Sequence, residues 1–153
     1  MSERLTAGEV CIREVVVAER EMPLSEAAQL LRGEHVGCLV VVEAGEGAQQ
    51  VCGMLTDRDL VTSVLAPGLD ARVLCVEDVM STPPITLQED DSMIDVMRAM
   101  RRHAVRRLPV VTQIGVLVGL ITLDDVLQVL SEELGLLIGA IQGQMAHERH
   151  QRP

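Results

Sequence analysis

Phenylalanine, tyrosine and tryptophan are absent from this sequence of 153 residues, and so is lysine. Without aromatic rings the core must be assembled from valine, leucine, isoleucine, methionine and alanine. No platform exists for stacking unpaired bases, which argues against single-stranded nucleic-acid binding. A formal net charge of −10 argues further against DNA and anionic membranes as partners. The lack of lysine excludes Schiff-base chemistry and a lysine-dependent phosphate loop of the Walker type. Long hydrophobic runs are missing too. A spanning helix needs ~18 uninterrupted apolar residues, and the longest candidates, Val116–Ile121 and Leu134–Ile141, are short or broken by glycine. The N-terminus, Met1-Ser2-Glu3-Arg4, has no basic-then-apolar signal pattern, so a cytoplasmic location is expected. The four cysteines, Cys11, Cys38, Cys52 and Cys75, form no C-x-x-C pair and have no histidine at metal-finger spacing. Cys38 and Cys52 lie in apolar runs and read as buried, reduced thiols.

Hydrophobic residues nevertheless make up 48% of the chain. That content predicts a large core or a buried oligomer interface. Its arrangement is repetitive. Gly53-Met54-Leu55-Thr56-Asp57-Arg58-Asp59 returns as Gly119-Leu120-Ile121-Thr122-Leu123-Asp124-Asp125, 66 positions on (122 − 56). Upstream, Met22–Leu31 aligns with Asp91–Met100, and Val36–Val42 with Val105–Val111, at an offset of 69 (105 − 36). Each half reads as a short strand (Val15–Ala18; Ile85–Leu87) and an amphipathic helix starting at Pro23 or near Ser92. Two strands follow (Leu39–Val42 and Val51–Leu55; Leu108–Val111 and Val116–Ile121), then a second helix (Asp57–Leu65; Leu123–Leu134 or beyond). Met93, Met97 and Met100 share one helical face and read as core or interface. Between the halves lie Ala66–Asp70, a possible short helix at Val76–Met80, and the turn Ser81–Pro84. The tail from Gln142 reads as polar and frayed. Neither half can bury both faces of its sheet alone, so the two sheets are expected to pack on each other.

A lone Thr-x-x-Asp is foremost a capping box, in which the threonine hydroxyl accepts from the N–H three residues on. Two copies, each directly after a strand and opened by a glycine that permits close approach to the backbone, suggest more. A carboxylate accepts from both hydroxyls of a ribose, and a helix N-terminus favours phosphate. Asp59 and Asp125 are therefore candidate ribose clamps, with Thr56 and Thr122 beside the phosphate.

Two β-α-β-β-α units ending in Gly-h-h-Thr-x-x-Asp (h apolar), with Leu108-Pro109-Val110-Val111 and Asp78-Val79-Met80-Ser81, resemble a tandem cystathionine-β-synthase (CBS) domain pair, or Bateman module, over about Glu9 to Leu134. The resemblance implies an α/β (α+β) fold of two repeats, 9–66 and 76–134, packed sheet to sheet with pseudo-two-fold symmetry, and a C-terminal extension, 135–153. That extension is expected to continue the last helix and end in a frayed tail. The resemblance implies adenosine-type ligands (AMP, ADP, ATP, NAD or S-adenosylmethionine) in clefts between the repeats. One site would combine Thr56 and Asp59 with Thr82, Ile85, Thr86, Val105, Arg106 and Arg107. The other would combine Thr122 and Asp125 with Ile12, Val16, Val17, Val36, Gly37 and Cys38. Arginine binds phosphate bidentately, so the first site is expected to be the stronger. The second has Gly37 and Cys38 in place of the arginines, with Arg13 nearby in sequence. The resemblance also implies a homodimer, and regulation of an effector protein in trans. A ligand-free dimerisation scaffold and a nucleotide-acting enzyme are the alternatives; the candidate site offers no paired carboxylates, activated nucleophile or metal-ligand cluster. Glu89–Asp91 reads as a solvated helix start. His35 and His103 read as surface residues, and His147 and His150 make a poor metal site.

Overall fold

The computed structural model describes residues 4–45 and 47–151. The elements run α1 (Ala7–Val10), β1 (Val17–Glu19), α2 (Leu24–Glu34), β2 (Cys38–Ala44), β3 (Gln49–Thr56), α3 (Asp57–Leu60), β4 (Leu87–Gln88), α4 (Met93–His103), β5 (Arg107–Val111), β6 (Leu117–Thr122) and α5 (Leu123–Gln151). A π-helical turn, Val61–Leu65, extends α3, and 3-10 turns lie at Ala71–Val73 and Val76–Asp78. The architecture is mixed α+β with two three-stranded sheets, ordered β1-β2-β3 and β4-β5-β6. In each, the short first strand runs parallel to the central one and the third antiparallel.

The duplication reaches fine detail. Both central strands are bulged at equivalent points, between Val41 and Val42 and between Val110 and Val111. Both first helices end on a left-handed residue that is not glycine, His35 (φ 54°) and Ala104 (φ 52°). Helix α4 starts on a capping box: Ser92 Oγ accepts from the Asp95 N–H at 3.2 Å while the Asp95 carboxylate accepts from Ser92. Val96 and Met100 are buried under it, and Met93 and Met97 pack against the same cluster, so the methionine face belongs to the core.

The segments leading into the repeats are exchanged. Ala7 and Cys11 are buried among Leu87, Val96, Leu108 and Ile121 of the second repeat. Val76, which opens the second repeat, is buried among Leu24, Leu39 and Leu55 of the first. Backbone pairing follows the same exchange: Ile12 and Leu120 each donate an N–H to the other's carbonyl at 2.9 Å, and Ser81 and Met54 pair at 2.8 and 3.2 Å. This explains the glycine that opens each copy of the repeated phrase. A Cβ on Gly53 would stand 2.8 Å from Met80 Sδ and 2.9 Å from the Ser81 carbonyl oxygen. On Gly119 it would stand 2.6 Å from both Cys11 Sγ and the Ile12 carbonyl oxygen. The backbone that comes close is protein, not ligand. The first sheet also touches the second repeat where the Val51 N–H of β3 donates to the Gly115 carbonyl, in the turn between β5 and β6, at 3.1 Å.

Several sequence expectations are corrected. The first strands begin two residues later than expected, because only Val17–Glu19 and Leu87–Gln88 reach register with the central strands. The short helix α1 carries no apolar period and was not foreseen. The tail is not frayed: α5 continues as helix through Gly135, Gly139 and Gly143 to Gln151. Its side chains support this locally, with Gln128 donating to Glu132 and Gln144 to Glu148, each one turn on. The glycines interrupt the apolar run of Leu134–Ile141 but not the helix. Helix α5 is long and apolar enough, by length and composition alone, to cross a membrane, although the lone candidate window among the described residues has a mean hydropathy of only 1.2. From Ser131 to Gln151 it is wholly exposed.

Candidate functional site: two clefts astride the repeat interface

Both copies of Thr-x-x-Asp form the capping box. Thr56 Oγ1 accepts from the Asp59 N–H at 3.1 Å, and the Asp59 carboxylate accepts from the Thr56 N–H at 2.9 Å. At the second copy, Asp125 accepts from the Thr122 N–H at 2.8 Å and from its hydroxyl at 2.9 Å. The carboxylates are thus turned onto their own helix starts.

A cleft of about 350 Å³ opens beside the first copy, within the size range of small-molecule sites. Its apolar wall is Met54, Pro83, Pro84, Ile85 and Val105, and its cationic side is Arg58, Arg106 and Arg107, with Thr56, Asp57 and Ser81 at the rim. Of the eight residues expected here, Thr56, Ile85, Val105, Arg106 and Arg107 are brought together. Three are not. Asp59 is held in the cap. Thr82 donates its hydroxyl to the Cys52 carbonyl at 3.2 Å. Thr86 does not line the cleft, although its neighbour Ile85 does. Sequence reasoning missed Asp57 and Arg58, which directly follow Thr56, and Pro83 and Pro84, which directly precede Ile85; adjacency to the expected residues was the available signal.

A second cleft, about 300 Å³, is related by the pseudo-two-fold. Ile12, Val16, Val36, Gly37, Cys38 and Thr122 line it as expected, joined by Glu14, Val15, His35 and Leu120. Val17 and Asp125 do not line it: Val17 lies in β1, and Asp125 is held in its cap. Arg13 is also elsewhere, donating to the Gly8 carbonyl at 3.1 Å. His35 is exposed, as expected of a surface residue, but it also lines this cleft. One expectation changes: the second cleft is not without an arginine, because Arg107 lines it as well as the first.

The reason lies at the axis. Cys38 and Arg107 occupy equivalent positions at the starts of the central strands, paired with Thr56 and Thr122 respectively. Both line both clefts. A Cβ on Gly37 would lie 3.3 and 3.4 Å from the two terminal guanidinium nitrogens of Arg107 and 3.5 Å from the Asp57 carboxylate. The absence of a side chain at Gly37 thus gives the guanidinium its place. Burial pushes the Cys38 thiol pKa up, against a smaller lowering by Arg107, so the thiol stays protonated and unreactive. All four cysteines are free. Among the described residues, no group of three or more histidine, cysteine, aspartate or glutamate side chains is placed to hold a metal ion.

A tandem-repeat module with two symmetry-related clefts at its repeat interface is the class that this fold defines. The model of the CBS domain matches residues 7–66 and 76–132; the chain belongs to the CBS-domain family, whose paired domains are regulatory modules. It is 35% identical over 136 residues to the CBS domain-containing protein YhcV of Bacillus subtilis, covering 88% of this chain and 93% of that protein. It spans 62% of a Methanopyrus kandleri protein to which it is 33% identical. Among solved structures it is similar to Hypoxic Response Protein I with two coordinated zinc ions, with a TM-score of 0.70 and 28% identity over 80% of this chain and 97% of that one. It shares its fold with CBSX2 in complex with AMP, with a TM-score of 0.70 and 23% identity over 83% of this chain and 96% of that one.

Proposed function

We propose that the protein is a non-catalytic sensor of adenosine-type nucleotides that signals to an effector in trans. The observation that carries this reading is the first cleft, where an apolar wall of prolines and aliphatic side chains faces Arg58, Arg106 and Arg107. A base fits the apolar wall, and a phosphate fits the arginine forks. That CBSX2, of the same fold, was crystallised with AMP supports the ligand class. AMP and ATP are the first ligands to test, followed by NAD and S-adenosylmethionine. Ribose binding by Asp59 requires its carboxylate to serve the cap and the ligand together, and an ionised carboxylate has the lone pairs to do so. A ligand shifts the angle between repeats only through unequal affinity for two arrangements.

Homodimerisation is part of the same reading. Leu134, Ile138, Ile141 and Met145 form an exposed apolar stripe on α5. The stripe also favours a second reading, a ligand-free interaction scaffold. A thermal-shift panel decides between them. At 100 times its Kd a ligand stabilises the fold by about 2.7 kcal/mol, so AMP or ATP should raise Tm. Arg106→Ala should weaken AMP roughly 10- to 100-fold by titration calorimetry, the loss of a charge-assisted contact. If AMP, ATP, NAD and S-adenosylmethionine all leave Tm unmoved, the scaffold reading replaces this one. ATP with magnesium should yield no ADP.

A further inference from the structure

We infer that Arg107 is a single phosphate-binding side chain shared by the two clefts, so that an anionic ligand in the first lowers the affinity of the second. The inference rests on the nucleotide reading above and adds the coupling between sites.

Three observations lead to it. Arg107 lines both clefts, whereas Arg58 and Arg106 line only the first. Its symmetry mate is Cys38, a short neutral side chain, so the axis carries one cation where two-fold symmetry would supply two. Its guanidinium lies over Gly37, on the wall of the second cleft, while its backbone starts β5 beside the first. A guanidinium engages one phosphate bidentately in one orientation. When a ligand in the first cleft draws it over, the ionisable side chains left lining the second are His35, Glu14 and the Cys38 thiol, with no arginine among them. Adenosine, which has no phosphate, should not feel the competition.

Titration calorimetry on the full chain tests this with AMP and adenosine. Two AMP steps are expected, the second weaker by roughly 10- to 100-fold, the cost of one charge-assisted contact; the adenosine steps should lie much closer together. The first cleft's richer cation set could by itself separate the AMP steps, so the deciding variant is Ile85→Trp, which fills the first cleft from a position already 37% exposed. Val105→Trp blocks the same cleft from its other wall, should Ile85→Trp not fold. With the first cleft blocked, the second should bind AMP roughly 10-fold or more tighter than the wild-type second step, and Arg107→Gln on that background should abolish the gain. A second-cleft affinity unchanged by blocking and by Arg107→Gln overturns the sharing while leaving nucleotide binding intact. AMP binding to neither cleft of the wild type overturns both this inference and the reading beneath it.

Discussion

The two clefts are cut from equivalent backbone and finished with different side chains. Around the first stand Pro83, Pro84, Ile85 and three arginines; around the second, Glu14, Val15, Val16, His35 and one arginine borrowed across the axis. What is duplicated is structural: the glycine that admits a neighbouring backbone, the capping box, the left-handed helix end and the bulge. What differs between the repeats lies mostly at the clefts. Fold and selectivity are therefore carried by overlapping sets of positions that share Thr56, Thr122 and His35, and only a substitution outside that overlap should leave the other property measurably intact.

The exchange of lead-in segments gives the largest expected effect. Val76 and Ala7 are equivalent and both wholly buried, each in the core of the repeat that it does not introduce. An aspartate at either place strands a charge in an apolar cluster, costing at least about 3 kcal/mol. Hydrogen exchange should show Val76→Asp loosening α2 and β2 first, and Ala7→Asp loosening α4 and β5 first. The reverse pattern would mean that each segment stabilises its own repeat.

The phrase glycines come next. Gly119→Ala and Gly53→Ala should each destabilise by about 1–3 kcal/mol in urea denaturation, since the added methyl overpacks a backbone contact. Gly119 should suffer more, because its nearest backbone oxygen stands at 2.6 Å against 2.9 Å. Equal wild-type stability in both variants would show that the lead-in segments yield freely.

The smallest effect separates the two left-handed helix ends. Glycine in place of Ala104 or His35 relieves a conformation that costs a residue with a Cβ roughly 1 kcal/mol, so both variants should gain about 0.5–1 kcal/mol in the same assay after the entropy of the unfolded chain is offset. Only His35→Gly should also change ligand binding, and only in the second cleft, because His35 lines it. An identical effect of both variants on AMP titration would remove His35 from the site.

Much of this molecule was legible because its signals are local. Period-2 and helical patterns, Ser92 before Asp95 and the twofold Gly-h-h-Thr-x-x-Asp all act within a few residues, so the order of strands and helices followed from them; Ile85, Val105, Arg106 and Arg107 were named only through the family resemblance, and the structure places them along one cleft. Errors came where local rules leave two outcomes open. A polar end to a helix can fray or hold, and α5 holds past Gln142 to Gln151, its three glycines each lowering helix propensity by only about 1 kcal/mol. An aspartate at the third helical position can cap, clamp a ribose or do both, and the spacing is the same in each case.

The sequence by itself determined the duplication, the secondary structure of each half and the chemical character of the residues that any cleft could use. Only the tertiary structure decided which repeat each lead-in segment completes, that the phrase glycines admit protein backbone, and that one arginine lines two clefts. Those outcomes depend on contacts between positions 27 (81 − 54) to 108 (120 − 12) residues apart and on a side chain reaching from one repeat to the other, which no local pattern encodes.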